Sequence, residues 1–142
     1  MNNYFIYLAG GMSGLTLEEQ NQWRERVNCY LEDFLKSPFY AVHAINPTDY
    51  YNFQEKRHET EREVMNFDLH KVKQSNLVIV NFNAPQSLGT MAELATAYDN
   101  GIPIIGLNMC GADLHPWQME MCERIFEDME DMLEYVGEFY LR

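Results

Sequence analysis

Apolar residues in this chain fall into two patterns that alternate from one end to the other. The first is the short solid run. Tyr4 to Ala9 (YFIYLA), Ala41 to Ile45, Leu77 to Val80 and Pro103 to Leu107 are too brief for ordinary helices, and each stops at Gly or Asn. Their length and their β-branched and aromatic content predict buried strands. The second pattern repeats every three or four residues. Trp23, Val27, Tyr30, Leu31, Phe34 and Leu35 form one stripe, Val64, Phe67 and Val72, with Asp68 on the same face, a second, and Met129, Met132, Leu133, Val136 and Tyr140 a third. Each stripe predicts a helix with one face against a core.

Punctuation supports both readings. Thr16-Leu17-Glu18-Glu19 is a capping box, in which Thr hydroxyl and Glu carboxylate each satisfy an orphan N–H of the other. Lys36-Ser37-Pro38 ends that helix. The next helical stretch runs from Glu61 to Gln74. Ser87 can cap a helix that starts at Leu88 or Gly89, and Asp99-Asn100-Gly101 stops it with a glycine suited to the left-handed cap. His115-Pro116-Trp117 opens a short helical piece, Arg124 to Phe126 reads as a short fifth strand, and Asp128 to Leu141 as the last helix. Strands alternating with helices mean a parallel sheet covered on both faces, with right-handed crossovers. The expected fold is therefore α/β, a doubly wound, flavodoxin- or Rossmann-like sheet of about five strands in order 2-1-3-4-5. Its switch point would lie beside Gly10 and Ser87.

The 142 residues suit one domain, 1–142, with a real core. At 46% hydrophobic and 13% aromatic the chain is not disordered. A formal net charge of −12 argues against polymeric nucleic acid, although a small nucleotide needs only a local cluster of donors. Acidity gathers from Glu120 to Glu138, as expected of a solvated face. Three cysteines (Cys29, Cys110 and Cys122), with no C-x-x-C pair, point to reduced thiols in a cytoplasmic setting; with His115 they match no common metal spacing, so no metal is expected. No signal peptide and no membrane span is evident. The polar stretch from Thr48 to Thr60 holds Tyr50, Tyr51 and Phe53, which suits a binding loop or lid better than a linker.

Candidate chemistry gathers in two loops at the carboxyl edge of the central strands. Gly10-Gly11-Met12-Ser13-Gly14 follows the first strand; Asn81 to Gln86 follows the third and leads through Ser87 and Gly89 to Glu93. Glycines there let backbone N–H groups approach a phosphate or sugar, and helix N-termini favour anions. A dinucleotide cofactor fits poorly, because the first loop reads G-G-x-x-G and the second strand ends in Asn46-Pro47 without a ribose-binding acid. No cofactor is expected. Glu93, about a turn inside its helix among small residues, is either a solvated surface acid or a site acid. Asp68 interrupts an apolar stripe and either meets water or joins a site. Two such carboxylates could serve displacement at a sugar's anomeric carbon, one as nucleophile and one as proton carrier.

Ile6-Tyr7, Asn66-x-Asp68-Leu69 and Ser87-Leu-Gly89-x-x-x-Glu93, in this order and spacing, resemble the nucleoside 2-deoxyribosyltransferase family, whose superfamily includes nucleoside 5′-monophosphate N-glycosidases. The likeness runs from Tyr4 to Gly106. It implies that Glu93 is the nucleophile forming a glycosyl-enzyme intermediate, that Asp68 handles the proton or positions the sugar, and that Tyr7 orients Glu93. It also implies substrate contacts from Gly10, Gly11, Met12, Ser13, Asn81, Ser87 and Gly89. The sugar would pass to another base or, in the hydrolases, to water. Two departures stand out. Where the transferases usually carry an acid this chain has Ser87, which is similar to the monophosphate hydrolases; and Ser13 stands where those hydrolases usually place an Arg, which leaves Arg57 or Arg62 as possible phosphate contacts. A non-catalytic nucleotide-binding protein is the rival of another class. The resemblance further implies a homodimer or higher assembly, with 128–142 a candidate contact.

Overall fold

The computed structural model describes residues 2–12, 14–32, 40–49 and 59–141. Five parallel strands lie in the order β2-β1-β3-β4-β5. They are β1 (Asn2–Gly10), β2 (Tyr40–Ile45), β3 (Leu77–Asn81), β4 (Ile104–Leu107) and β5 (Arg124–Phe126). Between and after them run α1 (Leu17–Glu32), α2 (Glu61–Gln74), α3 (Leu88–Asp99), α4 (Pro116–Met121) and α5 (Met129–Tyr140). The expected α/β class and the strand order 2-1-3-4-5 are both observed. Ser13, Phe34, Leu35, Lys36-Ser37-Pro38, Tyr50, Tyr51, Phe53 and Arg57 lie outside the described residues.

Local signals set the element ends. At α1, Thr16 N–H donates to Glu19 Oε1 (3.0 Å) and Glu19 N–H to Thr16 Oγ1 (3.1 Å), so the capping box is closed. A second, unanticipated box closes α2 through Thr60 and Glu63. Asp128 caps α5 and His115 caps α4. After α3 the chain reverses at Gly101, whose φ of 71° is open to glycine without the strain a side chain would bring.

The sheet separates two cores. On one face Ile6, Leu8, Trp23, Val27, Leu31 and Ile79 pack with Met132, Leu133 and Val136 of α5. On the other, Tyr7, Ala9, Val72, Val78, Val80, Leu94 and Ala97 pack together, so β1 and β3 deliver alternate residues to opposite helical layers. The buried half of α5 is the predicted one, and its Glu130, Asp131, Glu134 and Glu138 are exposed. Phe139 is exposed while Leu141 is buried, so the terminal apolar cluster is divided between solvent and core. No helix among the described residues is long and apolar enough to cross a membrane.

Candidate active site at the carboxyl edge of the sheet

Register decides where the site forms. Pairing of β1 with β3 ends at Gly10 opposite Asn81, so both strands finish at one edge and release their loops side by side. The loops are tied together there. Gly11 N–H donates to Asn83 Oδ1 at 3.0 Å, and Gln20 Nε2 donates to Met12 O (2.8 Å) and Leu15 O (3.0 Å). From the far side, Gln118 Nε2 donates to Pro85 O at 2.7 Å. Approach is close enough that only glycine fits: a Cβ on Gly10 would lie 2.9 Å from the Trp23 ring, and one on Gly11 2.5 Å from Ala84 Cβ.

A cavity of about 900 Å³ opens above these loops, between α2 and the start of α3. Its wall includes Gly10, Met12, Asp68, Ser87, Gly89 and Glu93, so six of the expected site residues converge on one space. Asn81 and Gly11 are buried and do not line it; Gly11 ties the two loops together through Asn83. Arg62 and Leu69 also line the cavity, as do Met65 of α2 and Thr90 of α3, neither of which was marked in the sequence.

Glu93 is buried and not solvated, at 8% exposure. Tyr7, from the middle of β1, points into the same layer and its hydroxyl donates a short hydrogen bond to Glu93 Oε2. Burial holds the Glu93 carboxyl far above the usual carboxylate range, at about 8; the Tyr7 hydrogen bond and the positive charge of Arg24 act against that rise, and the negative charge of Asp68 adds to it. Asp68, half-buried on α2, is thus close enough to Glu93 for the two acids to feel one another. Ser87 starts α3 as predicted. Its Oγ accepts from Thr90 N–H (3.3 Å) and shares a hydrogen bond of 3.1 Å with the Thr90 hydroxyl.

Arg24 is the buried charged residue that sequence reasoning passed over. It is 1% exposed and reaches the end of β1 from α1. The signal was present: Gln20, Arg24, Val27 and Leu31 continue the buried stripe of α1 by steps of three and four, but a stripe read from apolar residues alone stops at Trp23. Cys29, Cys110 and Cys122 are free thiols, and among the described residues no cluster of metal-ligating side chains forms.

Comparison with solved structures finds the same fold in several proteins. A conserved protein from Enterococcus faecalis superposes with a TM-score of 0.73 at 17% identity, covering 95% of this chain and 98% of that one. A 2-deoxyribosyltransferase from Bacillus psychrosaccharolyticus gives 0.66 at 20% identity, covering 92% and 91%. A CMP N-glycosidase from Clostridium botulinum gives 0.62 at 16% identity, covering 95% and 98%. A sequence search of curated proteins returns no match. Residues 6–133 match the family described as nucleoside 2-deoxyribosyltransferase, a span that takes in Tyr7, Asp68, Ser87 and Glu93, and the chain belongs to that family.

Proposed function

We propose that this protein cleaves the N-glycosidic bond of (deoxy)nucleosides through a covalent glycosyl-Glu93 intermediate and passes the sugar to a second base. One observation carries the reading: Glu93 is a buried carboxylate at a cavity wall, held by Tyr7 and adjoined by a second acid, Asp68. In the first step Glu93 Oε attacks the anomeric carbon as the bond from that carbon to the base nitrogen breaks. The bonding pair leaves with the base, which takes a proton from Asp68. In the second step a nitrogen of the incoming base attacks the anomeric carbon and returns its proton to Asp68, and the ester to Glu93 breaks. The two acids share one proton: the free enzyme holds it on Glu93, whose carboxyl lies at about 8, and it passes to Asp68 as the substrate binds, which leaves Glu93 the anion that attacks. As charge spreads onto the sugar ring, the anionic form of Glu93 becomes the favoured one.

A second reading has its own support. Ser87 lines the cavity with a neutral hydroxyl at the N-terminus of α3, with Arg62 on the same wall. Donors and a cation there suit a 5′-phosphate, and water as acceptor would then give free base and sugar phosphate. A non-catalytic binding role has no comparable observation, because storage of a nucleotide does not call for a buried ionisable pair.

The test is chromatographic. Incubation with deoxynucleosides and their 5′-monophosphates, with and without an acceptor base, is expected to yield free base or an exchanged nucleoside. Glu93→Ala is expected to bind the substrate and release none. Equal release by the variant would end the catalytic assignment.

A further inference from the structure

We propose that Arg24, which reaches the sheet edge from α1 on the face opposite the cavity, is the positioning residue of the Glu93 site: its guanidinium holds the free end of β1 and sets a buried positive charge behind the Tyr7–Glu93 pair. The proposal rests on Glu93 being the nucleophile.

The need for such a residue follows from the register. β2 stops at Ile45, opposite Tyr7, whereas β1 continues to Gly10. The carbonyls of Leu8 and Gly10 therefore lie past the last residue paired with β2, in a buried part of the protein where an unmet acceptor is costly. Arg24 reaches both. Its Nε donates to Leu8 O at 3.1 Å and its Nη2 to Gly10 O at 3.4 Å, while Nη1 donates to Gln20 O at 2.6 Å and ties the group to its own helix. The guanidinium carbon sits 4.8 Å from the centre of the Trp23 ring, the same ring that comes within 2.9 Å of a Cβ built on Gly10. Strand, helix and glycine turn are thus pinned by one fork, one residue beyond Tyr7.

A neutral donor could fill two carbonyls. A guanidinium adds charge that cannot be lost, since it stays protonated at any working pH. The groups that act on Glu93 come from three directions: the Tyr7 hydroxyl from β1, the Asp68 carboxylate from α2, and Arg24 from α1, with Glu61 and Arg62 on the cavity wall. α3 itself has no acid in its first turn. Arg24 is the cation whose charge favours the ionised nucleophile from within the protein, at a place no substrate can displace or screen. Removing it weakens two things at once, the aim of the Tyr7 hydroxyl and the ease of ionising Glu93.

Three variants separate these effects: Arg24→Lys keeps the charge without the fork, Arg24→Met removes both, and Glu93→Gln identifies the Glu93 signal. The Glu93 carboxyl is titrated directly by ¹³C NMR on protein carrying labelled glutamate, beside kcat, KM and thermal unfolding. With Arg24→Met the Glu93 midpoint is expected to move above its wild-type value. With Arg24→Lys the midpoint is expected to stay in place while kcat drops about tenfold with KM little changed, the signature of a misaimed nucleophile. A folded Arg24→Met whose midpoint and kcat match wild type overturns the proposal, as does a lowered melting temperature with no change in either. Should Arg24→Met fail to fold, Arg24→Lys decides, and an unchanged kcat overturns it. Failure of the Glu93 assignment shows separately, as base release retained by Glu93→Gln.

Discussion

The Tyr7 hydroxyl donates to Glu93 Oε2 across 86 residues of chain, from the middle of the first strand to the second turn of α3, and the bond is buried. Tyr7 is fully enclosed, so its ring is a fixed arm and not a mobile one. Replacing Tyr7 by Phe removes the hydrogen bond that opposes the rise of the Glu93 pKa. The acid limb of kcat/KM, which reports the free enzyme, is expected to move to higher pH, with activity at pH 7 lower by roughly 10- to 100-fold. A pH–rate profile of Tyr7→Phe checks both.

Asp68 acts on the same carboxyl with the opposite sign. Asp68→Asn takes away a like charge, so the Glu93 limb is expected to move to lower pH while kcat falls by about 10²- to 10⁴-fold for want of the proton carrier. Paired profiles of Tyr7→Phe and Asp68→Asn moving in opposite directions are the measurement. Movement in one direction would contradict the placement of Asp68 beside Glu93.

Stability carries the same titration. In the unfolded chain Glu93 ionises near 4.5, and in the folded protein at about 8. The folded state therefore holds the extra proton between these values, and the stability this group contributes is fully present below 4.5 and is lost as pH rises to 8. Glu93→Gln, neutral throughout, is expected to flatten that decline and to melt about 5 °C or more above wild type at pH 8.5. Thermal unfolding from pH 5 to pH 9 gives the answer.

Ser87→Asp distinguishes the two substrate readings. Aspartate caps a helix as well as serine does, so α3 is expected to form with stability changed by no more than about 0.5 kcal/mol. A carboxylate would repel a 5′-phosphate in the cavity and accept from a 5′-hydroxyl. If monophosphates are the substrate, their cleavage is expected to fall by about 100-fold or more while that of nucleosides holds or rises, about 3 kcal/mol of discrimination. Steady-state kinetics on both substrate classes reads this out.

Gly11→Ala tests the loop contact. A Cβ at 2.5 Å from Ala84 Cβ forces one backbone to move, which is expected to cost about 1–3 kcal/mol and to loosen the Gly11–Asn83 hydrogen bond beneath the cavity. Denaturant unfolding and kcat are expected to decline together.

Much of the frame was legible in the chain itself. Short, solid β-branched runs favour buried strands, and stripes at three and four residues favour helices with one covered side; their alternation then leaves a parallel sheet as the economical solution. Caps that work through neighbouring residues, such as Thr16 with Glu19 or Ser87 with Thr90, are written locally and were readable for that reason. What the chain could not decide is anything that depends on distance across it. Glu93 on its own helix is compatible with water or with a buried site, and only the register of β1 against β3 brings Tyr7 beneath it and Asp68 beside it. Arg24 is the clearer case. A charged residue in an apolar stripe carries no mark of its partners, and the mismatch in length between β1 and β2 that leaves two carbonyls for it to hold exists only once the strands are paired. Local hydrogen bonding and periodicity set the elements; pairing register, a property of the assembled sheet, set the site.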